Sequence, residues 1–380
     1  MPGFDVLDMM RFRQGEWLGA LAGLVDHESP SRDKSGLDSL ALKLAGRFES
    51  IGGEVQVIAN PAGGDHVRAR FFGEASGRKP ALVLGHYDTV WPLGTLATMP
   101  FRVEDGRAFG PGVFDMKASL VEAEFALDGL RKLGRRPPRP VEVLITSDEE
   151  IGSPTSRRLI EDSARGAEFV LVLEPPLPDG SLKTGRKGVG HFSVTIEGKA
   201  AHAGVEPRKG VSAIQELAHQ ILYFHSLTDH DAGISVNVGV VEGGTTPNVI
   251  AARATARVDV RATTLEQARQ IEDAIRRAKP TRAGIELTIT GGFNRPPMER
   301  TEGVANLYER ARFIGMSLGL ELGEGSTGGG SDGNFTAALG VPTLDGLGIQ
   351  GSGAHAIHEQ IELASLPKRT ALLAALLMHL

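Results

Sequence analysis

Three short runs, Ala81–His86, Val141–Thr146 and residues 169–173, are apolar along most of their length and are separated by segments of helical period. A strand that faces water on one side alternates polar and apolar residues. One that is apolar on both faces has to be covered on both, which places it in a largely parallel sheet between helices. Helical spacing at about 116–133 and 155–163, and before them at 4–26 and 37–50, supplies the cover. With Glu54–Ile58 and residues 67–72 as further strands, the pattern predicts an α/β fold, a three-layer α/β/α domain around a mixed sheet.

Past Gly185-Arg186-Lys187-Gly188 the pattern changes to a strand at 191–197, a helix at 211–227, strands at 234–241 and 249–261, a helix at 265–278 and a strand at 285–290. The order β-α-β-β-α-β is that of a ferredoxin-like α+β unit. After Pro296-Pro297 come a helix, a glycine-rich turn at 328–333, a strand near 343–347 and a last helix at 366–378. That remainder is too short to fold alone and is assigned back to the first domain. The expected division of the 380 residues is therefore 1–186 with 295–380, interrupted by an inserted domain at 187–294.

The chain has no cysteine, so disulfides, thiolate metal sites and a cysteine nucleophile are excluded, and any metal has to be held by His, Asp and Glu. Its 41 Lys and Arg against 47 Asp and Glu leave a net charge of −6 with no polybasic run, which argues against nucleic acid and anionic membranes as partners. Residues 1–13 lack the pattern of a secretory leader and no window approaches the ~18 apolar residues of a membrane span, so a soluble cytoplasmic protein is expected.

In α/β sheets ligands collect where strands end, and here polar residues follow the apolar runs. The first run ends in His86-Tyr87-Asp88, where residues two apart share a face and Asp88 can take the proton of a metal-bound His86. The pair also occurs as a plain structural hydrogen bond. Asp115, in Gly110-Pro111-Gly112-Val113-Phe114-Asp115-Met116-Lys117, is either a helix cap or a ligand. The second run ends in Asp148-Glu149-Glu150, three like charges at a buried strand end for which a cation is the natural partner. Glu174 follows the third run, and His355 and His358 stand three apart near the C-terminus, either of them a candidate ligand. Such a set of oxygen and nitrogen donors suits zinc, with manganese or cobalt also accommodated. Gly328-Gly329-Gly330-Ser331-Asp332-Gly333 fits a dinucleotide-binding string. However, only about fifty residues follow it and no acid stands ~20 residues on, so the glycines are better suited to letting backbone approach a bound substrate.

These residues together resemble the co-catalytic two-zinc metallopeptidases that include glutamate carboxypeptidase, acetylornithine deacetylase, succinyl-diaminopimelate desuccinylase and peptidase T. The likeness runs over nearly the whole chain. It is most specific in the stretch from Gly85-His86-Tyr87-Asp88 to Trp91-Pro92-Leu93-Gly94-Thr95, which favours the glutamate carboxypeptidase branch, and in residues 112–117, 147–152 and 328–332.

The resemblance implies two zinc ions held by His86, Asp115, Glu150, Glu174 and His355, with Asp115 bridging, Asp88 orienting His86 and Glu149 as general base. His355 with Glu359 fits the family's closing motif better than His358 does. Ala118 stands where the family often has glycine. It further implies that residues 187–294 form a lid and dimerisation domain, with His202 of Lys199-Ala200-Ala201-His202-Ala203-Gly204 serving the oxyanion in a partner subunit. Asn248 and Arg261 would meet the substrate carboxylate, with Gly330 and Ser331 also lining the substrate. The implied activity is release of a C-terminal amino acid from a small peptide or N-acyl amino acid by a homodimer. A deacylase or dipeptidase of the same family and a non-enzymatic metal-binding regulatory protein are the alternatives.

Overall fold

The computed structural model describes residues 2–75 and 77–380. In chain order its helices and strands are α1 (Pro2–Phe12), α2 (Gln14–Val25), α3 (Lys34–Ser50), β1 (Glu54–Ile58), β2 (His66–Phe71), β3 (Ala81–His86), β4 (Arg102–Glu104), β5 (Arg107–Phe109), α4 (Ala118–Lys132), β6 (Val141–Thr146), α5 (Arg157–Gly166), β7 (Phe169–Val172) and β8 (Leu182–Arg186). They continue with β9 (Gly188–Glu197), α6 (Ala213–Ser226), β10 (Ser235–Gly243), β11 (Arg253–Ala262), α7 (Leu265–Arg276) and β12 (Glu286–Arg295). The last are α8 (Glu302–Ser317), β13 (Glu324–Thr327), α9 (Gly333–Ala338), β14 (Thr343–Leu344), β15 (Gly351–Ser352), β16 (Gln360–Glu362) and α10 (Leu366–His379).

Two compact units emerge, residues 1–184 with 300–327 and 331–380, and residues 185–299 with 328–330. In the first, six of the described strands form a mixed sheet in the order β1-β2-β6-β3-β7-β14, and the short strands β15, β16, β5 and β4 form a separate ladder in that order. Strands β6, β3, β7 and β14 run parallel, and β1 and β2 are antiparallel to their neighbours. The apolar runs are buried on both faces for the reason their composition demands. Ala81 and Val83 of β3, with Val143 and Ile145 of β6, pack on the side of α1, α3, α4 and α10. Leu82, Leu84 and Leu144 join Ile160 and Ala164 of α5 and Phe335 of α9 on the other. Burying each of the Val, Leu, Ile and Phe side chains among these stabilises the fold by roughly 1.5–3 kcal/mol. The helical stretch expected at 4–26 is two helices that break at Arg13, which carries the non-helical angles between them.

The second unit is an antiparallel sheet in the order β10-β11-β9-β12, with α6 and α7 returning over it as in a ferredoxin-like fold. Its core alternates along each strand, with Phe192, Val194 and Ile196 of β9 and Ala254, Ala256, Val258 and Val260 of β11 all inward. Among the described residues no helix is long and apolar enough to cross a membrane.

Candidate metal centre

Because β6, β3 and β7 are adjacent and parallel, they end at one edge, and the residues that follow them are brought within reach of one another. His86 closes β3 opposite Thr146 of β6, and the chain beyond Thr146 turns tightly through Glu149–Ile151, closed by Gly152 at a left-handed φ of +90°. Glu174 lies two residues past β7. Asp115 arrives from a loop in which Gly112 has φ +70° and comes so close to Thr89 that a Cβ there would sit 2.5 Å from Cγ2. The Asp115–Met116 peptide bond in that loop is cis. His355 enters from the C-terminal side on a turn where it is itself left-handed, with φ +61°, a conformation that costs any non-glycine residue free energy and that clusters at functional sites.

The two oxygens of Asp115 face two different imidazoles. Oδ1 is 3.2 Å from His86 Nε2 and Oδ2 is 3.5 Å from His355 Nε2. Glu174 Oε1 lies 3.6 Å from His86 Nε2, and Glu150 lies 3.2 Å from His355 Nε2. Ligand atoms of His86, Glu149 and Glu174 all lie within 4.8 Å of one another, as do those of His86, Asp115 and Glu150. So many carboxylates at a buried strand end repel unless cations stand among them.

The titration of the centre records that tension. Burial pushes the Glu150 carboxyl up to about 7, with the charge of Asp115 adding to the effect against a hydrogen bond from His355. Hydrogen bonds to Asp115 and Glu150 push His355 up to about 10. Burial works against the charge of His86, yet its bonds to Asp115, Asp88 and Glu174 hold it well above the ordinary histidine range. The donor chemistry, two imidazoles and several carboxylates converging in pairs on either side of Asp115, fits a pair of divalent cations of the zinc, cobalt or manganese class.

Asp88 organises the centre from beneath. It is fully buried. Its Oδ1 is 3.3 Å from His86 Nδ1 and accepts the Glu149 backbone N–H at 3.1 Å, and its Oδ2 accepts the Glu150 N–H at 3.2 Å and the Ser31 hydroxyl at 2.7 Å. The sequence suggested the first of these contacts and gave no sign of the other three. Of the three consecutive acids, Asp148 turns away from the cluster. It is buried and accepts from the backbone and hydroxyl groups of Thr155 and Ser156, fixing the approach to α5. A cation is therefore not what accounts for it. His358, the alternative to His355, is exposed and packs on Gly353.

Four further candidate site residues belong to the second unit. His202 is exposed and its Nδ1 accepts from the backbone N–H groups of Gly204 and Val205, at 3.1 and 3.2 Å, which assigns the ring proton to Nε2. Asn248 lies on the neighbouring loop, its carbonyl accepting from Ala203 N and its side chain from the Thr246 hydroxyl. Arg261 makes a two-pronged bond to Asp259 on its own strand, at 2.9 and 2.8 Å, and a third contact to the Gly328 carbonyl at 3.4 Å. Gly330 approaches Val189 and Arg295 so closely that a Cβ would lie 2.9 and 2.8 Å from them. Ser331, in the first unit, is fully buried and donates to Asp345, so its hydroxyl holds the glycine turn in place and does not line an open surface.

Residues 82–379 match the model of Peptidase family M20/M25/M40. Carboxypeptidase G2 of Pseudomonas sp. (strain RS-16) is 32% identical over 369 residues, covering 95% of this chain and 88% of that protein. Among solved structures, the aminopeptidase PepT of Bacillus cereus superposes with a TM-score of 0.80 at 23% identity, over 96% of this chain and 98% of that one. The YXEP protein of Bacillus subtilis, a dinuclear metal binding peptidase of the M20 family, superposes with a TM-score of 0.68 at 16% identity, over 97% of this chain and 98% of that one. The chain belongs to peptidase family M20/M25/M40 and is a hydrolase of that family.

Proposed function

We propose that the protein is a two-zinc carboxypeptidase that releases a C-terminal amino acid from a small peptide or N-acyl amino acid. The observation that carries this reading is Asp115, whose two oxygens turn to His86 and to His355 as a bridging carboxylate requires. The 32% identity to carboxypeptidase G2 supports the carboxypeptidase branch over the dipeptidases and deacylases. In this reading His86 and Glu174 hold one zinc, Glu150 and His355 hold the other, and Asp115 is shared. Divalent cations in such a site supply Lewis acidity and bring the pKa of water down toward neutrality.

The protein's own groups divide the remaining work. Glu149, clustered with His86 and Glu174, takes the proton of the attacking water and hands it to the leaving amine, a role for which a carboxylate at the ligands' edge is suited. Asp88 keeps that carboxylate in place through the Glu149 N–H. His202, with its proton on Nε2, is equipped to donate to an oxyanion, and we assign it that role in the partner subunit of a homodimer. Arg261, helped by Asn248, would exchange the Asp259 carboxylate for that of the substrate. The cytoplasmic location belongs to the same proposal.

The test is a panel of N-blocked dipeptides, free dipeptides and N-acetyl amino acids read by released amino acid. The N-blocked dipeptides should be cleaved best, and a requirement for a free amino group would convert the reading to a dipeptidase. Exhaustive chelation should abolish turnover, and zinc, cobalt or manganese should restore it. Full activity in protein proven metal-free by elemental analysis would end the metallopeptidase reading.

A further inference from the structure

Glu359 is an acid with no part in the cluster, yet it is fully buried within the unit that holds it. Its carboxylate is saturated with donors. Oε1 accepts the backbone N–H groups of Phe114 at 2.9 Å and Asp115 at 3.0 Å, and Oε2 accepts the Gly112 N–H at 2.9 Å and the Trp91 indole N–H at 2.8 Å. Two bonds on each oxygen fill the acceptor sites that a carboxylate has. The same residue closes the turn that carries His355, through Glu359 N to Ala356 O at 2.8 Å and Ala356 N to Gly353 O at 2.9 Å. The ladder between β5 and β16 already joins the two segments, but it stops at the pair Phe109 and Gln360, short of Asp115. Beyond that point the loop is gripped by the Glu359 carboxylate.

We propose that Glu359 is a positioning residue that sets the separation of Asp115 from His355, and through it the affinity of the cation site those two share with Glu150. The proposal rests on the reading of Asp115 and His355 as ligands. Asp115 is shared by both sites, but His86 and Glu174 stand on strand ends that Glu359 does not touch, so the effect of losing it falls harder on the site that depends on Asp115 and His355 together. Groups that orient metal ligands from outside change affinity by about 10–100-fold.

Glu359→Gln is the informative change because it preserves shape. Its amide keeps one acceptor oxygen, for Phe114 and Asp115, and turns an N–H₂ group toward the Gly112 and Trp91 donors. Titration of metal-free protein with Co²⁺ against a competing chelator should give two equivalents in the parent. In Glu359→Gln one equivalent should weaken by about ten-fold or more while the other, which depends on Asp115 but not on His355, weakens by clearly less. Trp91→Phe alone removes one donor and should weaken the same equivalent by about three-fold, which keeps the idea testable if the glutamine variant does not fold. In the glutamine background the Trp91→Phe change should instead restore part of the affinity, because it removes a facing donor. A clamp that served folding alone would not reverse sign in this way. Unchanged affinity for both equivalents in Glu359→Gln, or equal weakening of both, would overturn the proposal. A parent that binds fewer than two equivalents would instead sink the two-metal reading itself, and this inference with it.

Discussion

Replacing Asp88 by asparagine removes one charge and one acceptor from the point on which the centre is built, with almost no change of volume. Asp88 is fully buried, so nothing from solvent can take over its bonds. Its oxygens serve three donors, Ser31 Oγ, Glu149 N and Glu150 N, and a fourth group, His86 Nδ1, stands 3.3 Å away. An asparagine has one oxygen for these groups and must point its N–H₂ at two of them. The less costly orientation leaves the oxygen with Glu149 N and His86, and turns the amide to Ser31, whose hydroxyl can rotate and accept. The Glu150 N–H is then stranded.

A buried N–H without a partner costs about 1–3 kcal/mol. Exchanging charge-assisted bonds for neutral ones adds up to about 1 kcal/mol. The two terms sum to about 1–4 kcal/mol, of which about 1.4–2.7 kcal/mol is expected to fall on the metal-bound form, an affinity drop of about 10–100-fold and the range seen when the partner of a ligating histidine is lost. Chelator competition on the metal-free protein measures the affinity. Turnover at saturating metal then reports the displacement of Glu149, which should lower kcat with a smaller change in KM. Asp88→Ala strands the Ser31, Glu149 and Glu150 donors, leaving His86 Nδ1 only the Asp88 main-chain carbonyl at 3.1 Å, and should lose metal more severely. Metal affinity within about two-fold of the parent, together with unchanged kcat, would refute the role given to Asp88.

Two further outcomes are expected, one at the centre and one in the core of α4. Glu149→Gln should keep its metal while kcat falls by about 100-fold or more, whereas Glu150→Gln should lose metal, and elemental analysis showing the reverse would exchange the two roles. Glu122 of α4 is fully buried with neither carboxylate oxygen hydrogen-bonded, and burial pushes its pKa up to about 8 against the pull of Arg369. A raised carboxyl favours the fold while protonated. That stability is complete below the ordinary carboxylate range and is lost as pH rises through about 8. Glu122→Gln cannot ionise, so its stability relative to the parent should grow across that window by at most about 1.4 kcal/mol per pH unit, and a flat difference in melting temperature from pH 5 to pH 9 would contradict this.

The sheet was legible because burial on both faces leaves a chemical trace: Val83 and Leu84 have to be apolar for opposite helix layers, and no exposed strand would need both. The convergence of His86, Glu150 and Glu174 was legible for a related reason, since parallel strands put whatever follows them at one edge. The ladder of β4, β5, β15 and β16 was not. Its strands are two or three residues long, too short for any period to show. Nor was the work of Glu359, because an acid in a loop looks the same in sequence whether it meets water or the backbone of a segment 244 residues away. Ser331 and Asp345 present a similar difficulty: a serine in a glycine-rich turn suggests an open surface until its hydroxyl is found buried against an acid beyond the next helix.

Asp148, Glu149 and Glu150 bring the limit into focus. They have nearly the same chemistry and follow one another without a gap, so composition gives no ground for separating them. What separates them is the turn. Successive residues of a tight turn point in different directions, and this one begins within three residues of the end of a strand. Asp148 is thereby aimed down at Thr155 and Ser156, while the next two present their backbone N–H groups to Asp88 and are left with their carboxylates at the cluster. The acceptor that enforces this, Asp88, lies on a different strand end, which is why no reading confined to residues 146–152 can assign the roles. Position in the turn, set by a buried acid some sixty residues earlier, does what residue type cannot.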